Sequence, residues 1–184
     1  MRLNPFDSVD PFLGNGATDL PEPSGIAATW FWPKAQVGNT HPGACSPFGM
    51  ISTCAYSGAY PTGYGWYDRS TEGQPGRLFE NTTASGFTHF QQSGTGDMRI
   101  FYNYVRIMPY VGPLQECCAR MAAGTRFDIG EEEAHPGYYS AQFPGTGLQG
   151  ELTVSPRVAC HRYSFPDDQH ASIWVDLSNN GVAV

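Results

Sequence analysis

The stretch GYYSAQFPGTGLQGELTVSPRVACHRYSFPDDQHASIWVDL, residues 137–177, decides the fold class. Four runs rich in aromatic and aliphatic side chains, at 137–143, 148–155, 157–165 and 172–177, are separated by turns built on Gly, Pro or Asp. That spacing predicts consecutive short strands of an antiparallel sandwich. Upstream, MRIFYNYVRIMPYV at 98–111 predicts a long strand near the centre of a sheet, and PFGMISTCAY at 47–56 a buried strand. The only helix-forming composition lies at 114–123, confined by Gly112-Pro113 before it and Gly124 after it. Residues 7–40 read as irregular chain lying over a core and anchored by Trp30-Phe31-Trp32-Pro33, and residues 69–83 as a surface loop. Asn180-Gly181, a favoured hairpin turn, precedes Val182-Ala183-Val184, which reads as the opening of another strand cut short.

Composition agrees with this pattern. The chain has 184 residues, 22 Gly, 15 Pro, 14% aromatic and only 15% charged residues, which suits many short strands and tight turns. The expected fold is mainly β: an antiparallel β-sandwich with long irregular loops, one domain over 1–184 that is incomplete at its C-terminal end. A formal charge of −7 disfavours a phosphate backbone as partner, so nucleic acid is set aside. No run approaches signal-peptide or membrane-span length, which predicts no membrane partner; as given, the chain reads as soluble and unexported.

Local sequence offers little catalytic chemistry. The five cysteines include no Cys-x-x-Cys pair and read as buried free thiols; the five histidines form no ligand cluster, so no metal site is expected from this chain. Gly14-Asn15-Gly16 and Gly94-Thr95-Gly96 are too short for phosphate-binding fingerprints, and Ser93 lacks the Gly-x-Ser-x-Gly elbow. Glu131-Glu132-Glu133 reads as a solvated face and Asp167-Asp168 as a turn, leaving no catalytic carboxylate pair. Sugar chemistry is better served. Sugar rings present C–H faces that stack on aromatics and hydroxyl edges that bond to amides and carboxylates. Tyr64, Trp66, Tyr67 and Asp68 on one loop, with His89, Gln91 and Gln92 on a second, offer those groups.

Five segments, in order, carry a resemblance. Val9-Asp10-Pro11-Phe12-Leu13-Gly14-Asn15-Gly16 comes first, and Asn39-Thr40-His41-Pro42-Gly43-Ala44 with Pro47-Phe48-Gly49-Met50 follows. Next is the loop SGFTHFQQSGTG at 85–96, then Pro136-Gly137-Tyr138-Tyr139. The last runs from Glu151-Leu152-Thr153 through Arg157-Val158 to His161-Arg162-Tyr163-Ser164-Phe165-Pro166. In this succession the chain resembles the N-terminal domain of glycoside hydrolase family 92, the calcium-dependent exo-acting α-mannosidases, whose members are often exported. The resemblance implies a β-sandwich packed on a helical catalytic domain of the same polypeptide, with a cleft for a mannose-containing oligosaccharide between them. It also implies that the general acid, the general base and the calcium site belong to the helical domain, so that no catalytic residue and no calcium ligand is expected here.

On that basis Trp66, Asp68, His89, Gln91, Gln92 and Gly94 are the expected substrate-binding residues. Two positions depart from the family pattern. Tyr64-Gly65-Trp66-Tyr67-Asp68 replaces a Trp-Cys…Tyr-His segment, and Gln91 stands where the second His of a His-x-His would be. His161 and Arg162 fall in one predicted strand and so face opposite sides. The alternative function is a non-catalytic carbohydrate-binding or interaction module.

Overall fold

The computed structural model describes residues 4–14, 24–26, 40–56, 64, 83–89, 91, 105–123, 125–167 and 170–177. Eleven strands occur among them: β1 (Ala44–Cys45), β2 (Ser52–Ala55), β3 (Thr83–Ala84), β4 (Phe87–Thr88), β5 (Arg106–Val111), β6 (Phe127–Asp128), β7 (Gly130–His135), β8 (Tyr138–Phe143), β9 (Leu148–Val154), β10 (Ala159–Ser164) and β11 (Ala171–Asp176). Helix α1 spans Leu114–Ala122, and a short 3₁₀ turn, Pro5–Ser8, is capped by the Asn4 side chain, which accepts from the Phe6 N–H. The strands form a five-stranded sheet ordered β1-β2-β4-β5-β11, a four-stranded sheet ordered β10-β9-β8-β7 and the pair β3-β6, all antiparallel. The fold is the expected antiparallel β-sandwich.

Alternation explains the four-stranded sheet. β9 buries Leu148, Gly150 and Leu152, and their cross-strand partners Phe143, Ala141 and Tyr139 on β8 are buried as well. On β10, Ala159, His161 and Tyr163 face inward while Cys160, Arg162 and Ser164 are exposed, as a period of two requires. The opposite sheet contributes Phe87, fully buried, whose ring meets Phe143 edge-on at 5.9 Å and lies 6.0 Å from Tyr163. Burying such a side chain contributes about 1.5–3 kcal/mol. The close approach depends on Gly150, where a Cβ would stand 2.7 Å from Phe87 Cζ. Gly86 opens β4 at φ +131°, and its lack of a side chain keeps clear of the Ile107 carbonyl, 2.8 Å from where a Cβ would be.

Helix α1 buries Cys117 and Met121, one turn apart, and packs against β11. Within residues 47–56 only Ser52–Ala55 is strand, which corrects the longer expectation. Pro47 supplies no ladder donor, the Gly49 N–H closes a turn onto the Ser46 carbonyl, and Phe48 adopts φ +56° with its ring in solvent. The cysteine expectation is also corrected in part: all five thiols are free, but Cys45 and Cys160 are exposed. Trp30 to Pro33, the start of the strand expected at 98–111 and the terminal Asn180-Gly181 turn lie outside the described residues.

Candidate functional site

The 85–91 segment is pinned to the sandwich at several points. Gln91 is 3% exposed and acts as a hub. Its Nε2 donates to the Ala55 carbonyl at 2.8 Å, and its Oε1 accepts from the Cys54 thiol. Its own carbonyl accepts from the Ser52 hydroxyl, and the Ser52 N–H donates to the His89 carbonyl at 3.2 Å. Burial, and secondarily the Glu132 carboxylate, holds the Cys54 thiol well above its ordinary pKa, so it stays a protonated donor. His41, from another of the sequence segments, makes a backbone hydrogen bond to Gln91, and its Nδ1 accepts from the Gly43 N–H at 3.2 Å. Burial lowers its pKa to about 4, so it is neutral at pH 7.

His89 joins the two sheets. Its Nδ1 lies 2.9 Å from the Val105 carbonyl, its Nε2 lies 2.8 Å from His161 Nε2, and His161 Nδ1 lies 2.6 Å from the Tyr163 hydroxyl. A carbonyl only accepts, which fixes the tautomers of neutral rings. His89 donates through Nδ1–H and accepts at Nε2; His161 donates through Nε2–H and accepts the Tyr163 hydroxyl at Nδ1. Every donor then has one acceptor. Burial, and then the neighbouring His89, brings His161 down to about 4; burial also lowers His89 and raises Tyr163. A proton on His89 Nε2 would set two N–H groups head to head.

Two carboxylates tie other segments together. Glu132 accepts from the Tyr64 hydroxyl at 3.0 Å and from the buried Tyr139 hydroxyl, so the triple-glutamate run is not a uniformly solvated face. Alternation along β7 explains it: Glu131, Glu133 and His135 are exposed while Glu132 and Ala134 face inward, and a register shift between Gly130 and Glu133, with Glu131 at φ +46°, lies in the same stretch. Glu151 receives the Arg162 guanidinium through both Nε and an Nη, and the Tyr138 hydroxyl at 3.0 Å. Arg162 is the main cause of its lowered pKa. His161 and Arg162 do face opposite sides of β10.

Of the residues expected from sequence to bind substrate, the structure brings His89 and Gln91 together at the base of the loop, with both ends of each side chain engaged by the protein. Trp66, Asp68, Gln92 and Gly94 lie outside the described residues. Sequence reasoning did not pair His89 with His161 and Tyr163, 72 and 74 positions away; their inward alternation on β10 was the available signal. Among the described residues no group of three or more His, Cys, Asp or Glu side chains is placed to hold a metal ion. Phe48 is fully exposed and Met50 is 70% exposed, on the turn whose Met50 N–H donates to the Pro156 carbonyl at 2.7 Å; Val158 beside it is also exposed.

Comparison with known proteins agrees with this architecture. The chain shares 24% identity over 155 residues with an uncharacterized secreted glycosidase of Arthroderma benhamiae, covering 79% of this chain and 18% of that protein. It superposes on a family GH92 α-mannosidase of Bacteroides thetaiotaomicron with a TM-score of 0.64 at 23% identity, covering 97% of this chain and 21% of the other. On the same enzyme in complex with mannoimidazole the TM-score is 0.63 at 24% identity, covering 95% and 20%. The chain thus spans about a fifth of the length of these relatives. Residues 8–183 match the glycosyl hydrolase family 92 N-terminal domain, and the chain belongs to that family.

Proposed function

We propose that this chain is the substrate-cleft and domain-packing part of a glycoside hydrolase that removes terminal α-mannose from oligosaccharides with inversion. The observation that carries this reading is the convergence at the loop base. His41, Gln91, His89 and His161 come from three separate family segments, and together they hold the 85–91 segment against both sheets. Such a base orients a loop tip without contributing contacts itself, because its hydrogen-bonding groups are already used. Sugar contact is then assigned to Gln92, Gly94, Trp66 and Asp68, with His89 and Gln91 as positioning residues. An aromatic face and an amide edge are what a mannose ring requires.

The second role is packing. Phe48, Met50 and Val158 place three exposed apolar side chains around the Met50–Pro156 hydrogen bond. Apolar clusters of this kind mark interaction surfaces. The occupant we assign is the helical catalytic domain of the same polypeptide, consistent with relatives about five times longer than this chain. The acid and base carboxylates, set about 6.5–9.5 Å apart to admit a water, and the calcium expected of the complete enzyme are assigned to that domain.

The test is made in the complete polypeptide. Gln92→Ala and Trp66→Ala should each lower kcat/KM for α-mannosides by about tenfold or more with an unchanged Tm, as expected when a bonded or stacked sugar group is lost. Variants that keep kcat/KM within about twofold would remove these loops from the substrate cleft.

A further inference from the structure

The segment Tyr64-Gly65-Trp66-Tyr67-Asp68 carries two of the residues assigned to sugar contact, and its first side chain is tied to the sandwich. The Tyr64 hydroxyl donates to Glu132 Oε2 at 3.0 Å, and the other oxygen of the same carboxylate accepts from the hydroxyl of Tyr139, a fully buried residue. Beside this group stands the buried Cys54 thiol, which feels the charge of Glu132 and donates to Gln91 Oε1. Glu132 thus holds one loop directly and adjoins the Gln91 anchor of the other. On the strength of the mannoside reading above, we infer that Glu132, through its hydrogen bond to Tyr64, is a positioning residue that sets where Trp66 stands relative to Gln92.

Chain length keeps the anchor local to the site. A residue spans at most about 3.3–3.6 Å, so the Trp66 Cα lies within about 7 Å of the Tyr64 Cα, and Gln92 is one peptide unit from Gln91. Stability alone does not account for the carboxylate. Glu132 shares the inward side of β7 with buried Ala134, where a carboxylate loses hydration. Exchanging Glu132 and the Tyr139 hydroxyl together for apolar groups can be nearly neutral, whereas removing one partner alone is costly. The double exchange would give up the link to Tyr64. A matched pair lies on the other face of β8, where the Tyr138 hydroxyl donates to Glu151 at 3.0 Å; both residues belong to one sheet, and their bond fixes no loop.

The test follows hydrolysis of p-nitrophenyl α-mannoside by the complete polypeptide. Tyr64→Phe, which removes one hydroxyl and keeps the ring, should raise KM about fivefold or more with kcat within about twofold, as a loss of sugar binding requires. Its Tm should fall by no more than a few degrees. Glu132→Gln, which keeps the shape and one acceptor oxygen, should move KM in the same direction and replaces Tyr64→Phe if that variant does not fold. Tyr138→Phe should leave both constants as in the parent. In a Trp66→Ala background, Tyr64→Phe should change KM by less than about twofold, because the side chain it positions is gone. An unchanged KM in Tyr64→Phe, where Trp66→Ala does raise it, would overturn the inference and leave the loop in the sugar cleft. A KM raised equally by Tyr138→Phe, or by the same factor with Trp66 already removed, would also overturn it, as general loosening. Trp66→Ala kinetics equal to the parent's, or no mannoside hydrolysis at all, would remove the cleft reading and this inference with it.

Discussion

Lowering the pH should loosen the join between the two sheets, and the effect is large enough to measure. His161 has a folded pKa of about 4 against 6.5 for a solvated histidine, with burial as the main cause. Above pH 6.5 both folded and unfolded chains carry the neutral ring. Below it the unfolded chain takes up a proton that the folded chain refuses until about pH 4, so stability falls as pH falls through that window. Between pH 7 and 5, one such histidine costs about 2 kcal/mol of stability. His41, brought to about 4 by burial, adds a similar amount, and lowered His89 acts in the same direction. A combined loss of about 4 kcal/mol is a large part of a typical domain's stability. Urea unfolding at pH 7, 6 and 5, followed by tryptophan fluorescence, should show the midpoint falling by about 2 M for a slope near 2 kcal/mol/M. His161→Gln, which keeps a donor toward His89 but cannot titrate, should show roughly half that fall. A parent midpoint that moves by less than about 0.5 M, or a variant that moves as far as the parent, would refute the assignment of neutral, buried imidazoles.

Other substitutions probe the packing. Gly150→Ala drives a methyl group toward the fully buried Phe87 ring and should cost about 1–3 kcal/mol, read as a Tm lower by several degrees. Tyr139→Phe removes a buried donor to Glu132 and should cost about 1.5–3 kcal/mol in denaturant unfolding. Gln91→Leu leaves the Ala55 carbonyl and the Cys54 thiol without their partner. A loss of about 1–3 kcal/mol is expected, together with faster proteolysis within 85–97.

The strands of the four-stranded sheet were readable where alternation and turn residues coincide. β8, β9 and β10 each run six or seven residues between Gly or Pro turns, and β11 repeats the pattern. The two-residue strands β1, β3, β4 and β6 were not readable, because pairing with distant segments creates them and no local period marks them. Phe48 and Met50 misled for a physical reason: an apolar run on an exposed turn has the same composition as a buried strand. Glu132 was hidden by composition: three consecutive glutamates suggest one solvated face, whereas alternation along β7 turns Glu132 inward with Ala134 and leaves Glu131 and Glu133 exposed. The loop at 85–96 was visible as a motif, and His89 and Gln91 within it. Their hydrogen-bonding partners lie up to 72 positions away and became visible only once the sheets were paired.

Mannose release by the complete polypeptide tests the central claim most directly. Incubated with an α-linked mannoside in the presence of calcium and followed by proton NMR, it should release mannose from the non-reducing end, with the β-anomer as the first product, as inversion at an α-linkage requires. No release of mannose, or the α-anomer as first product, would contradict the assignment of this chain to an inverting α-mannosidase.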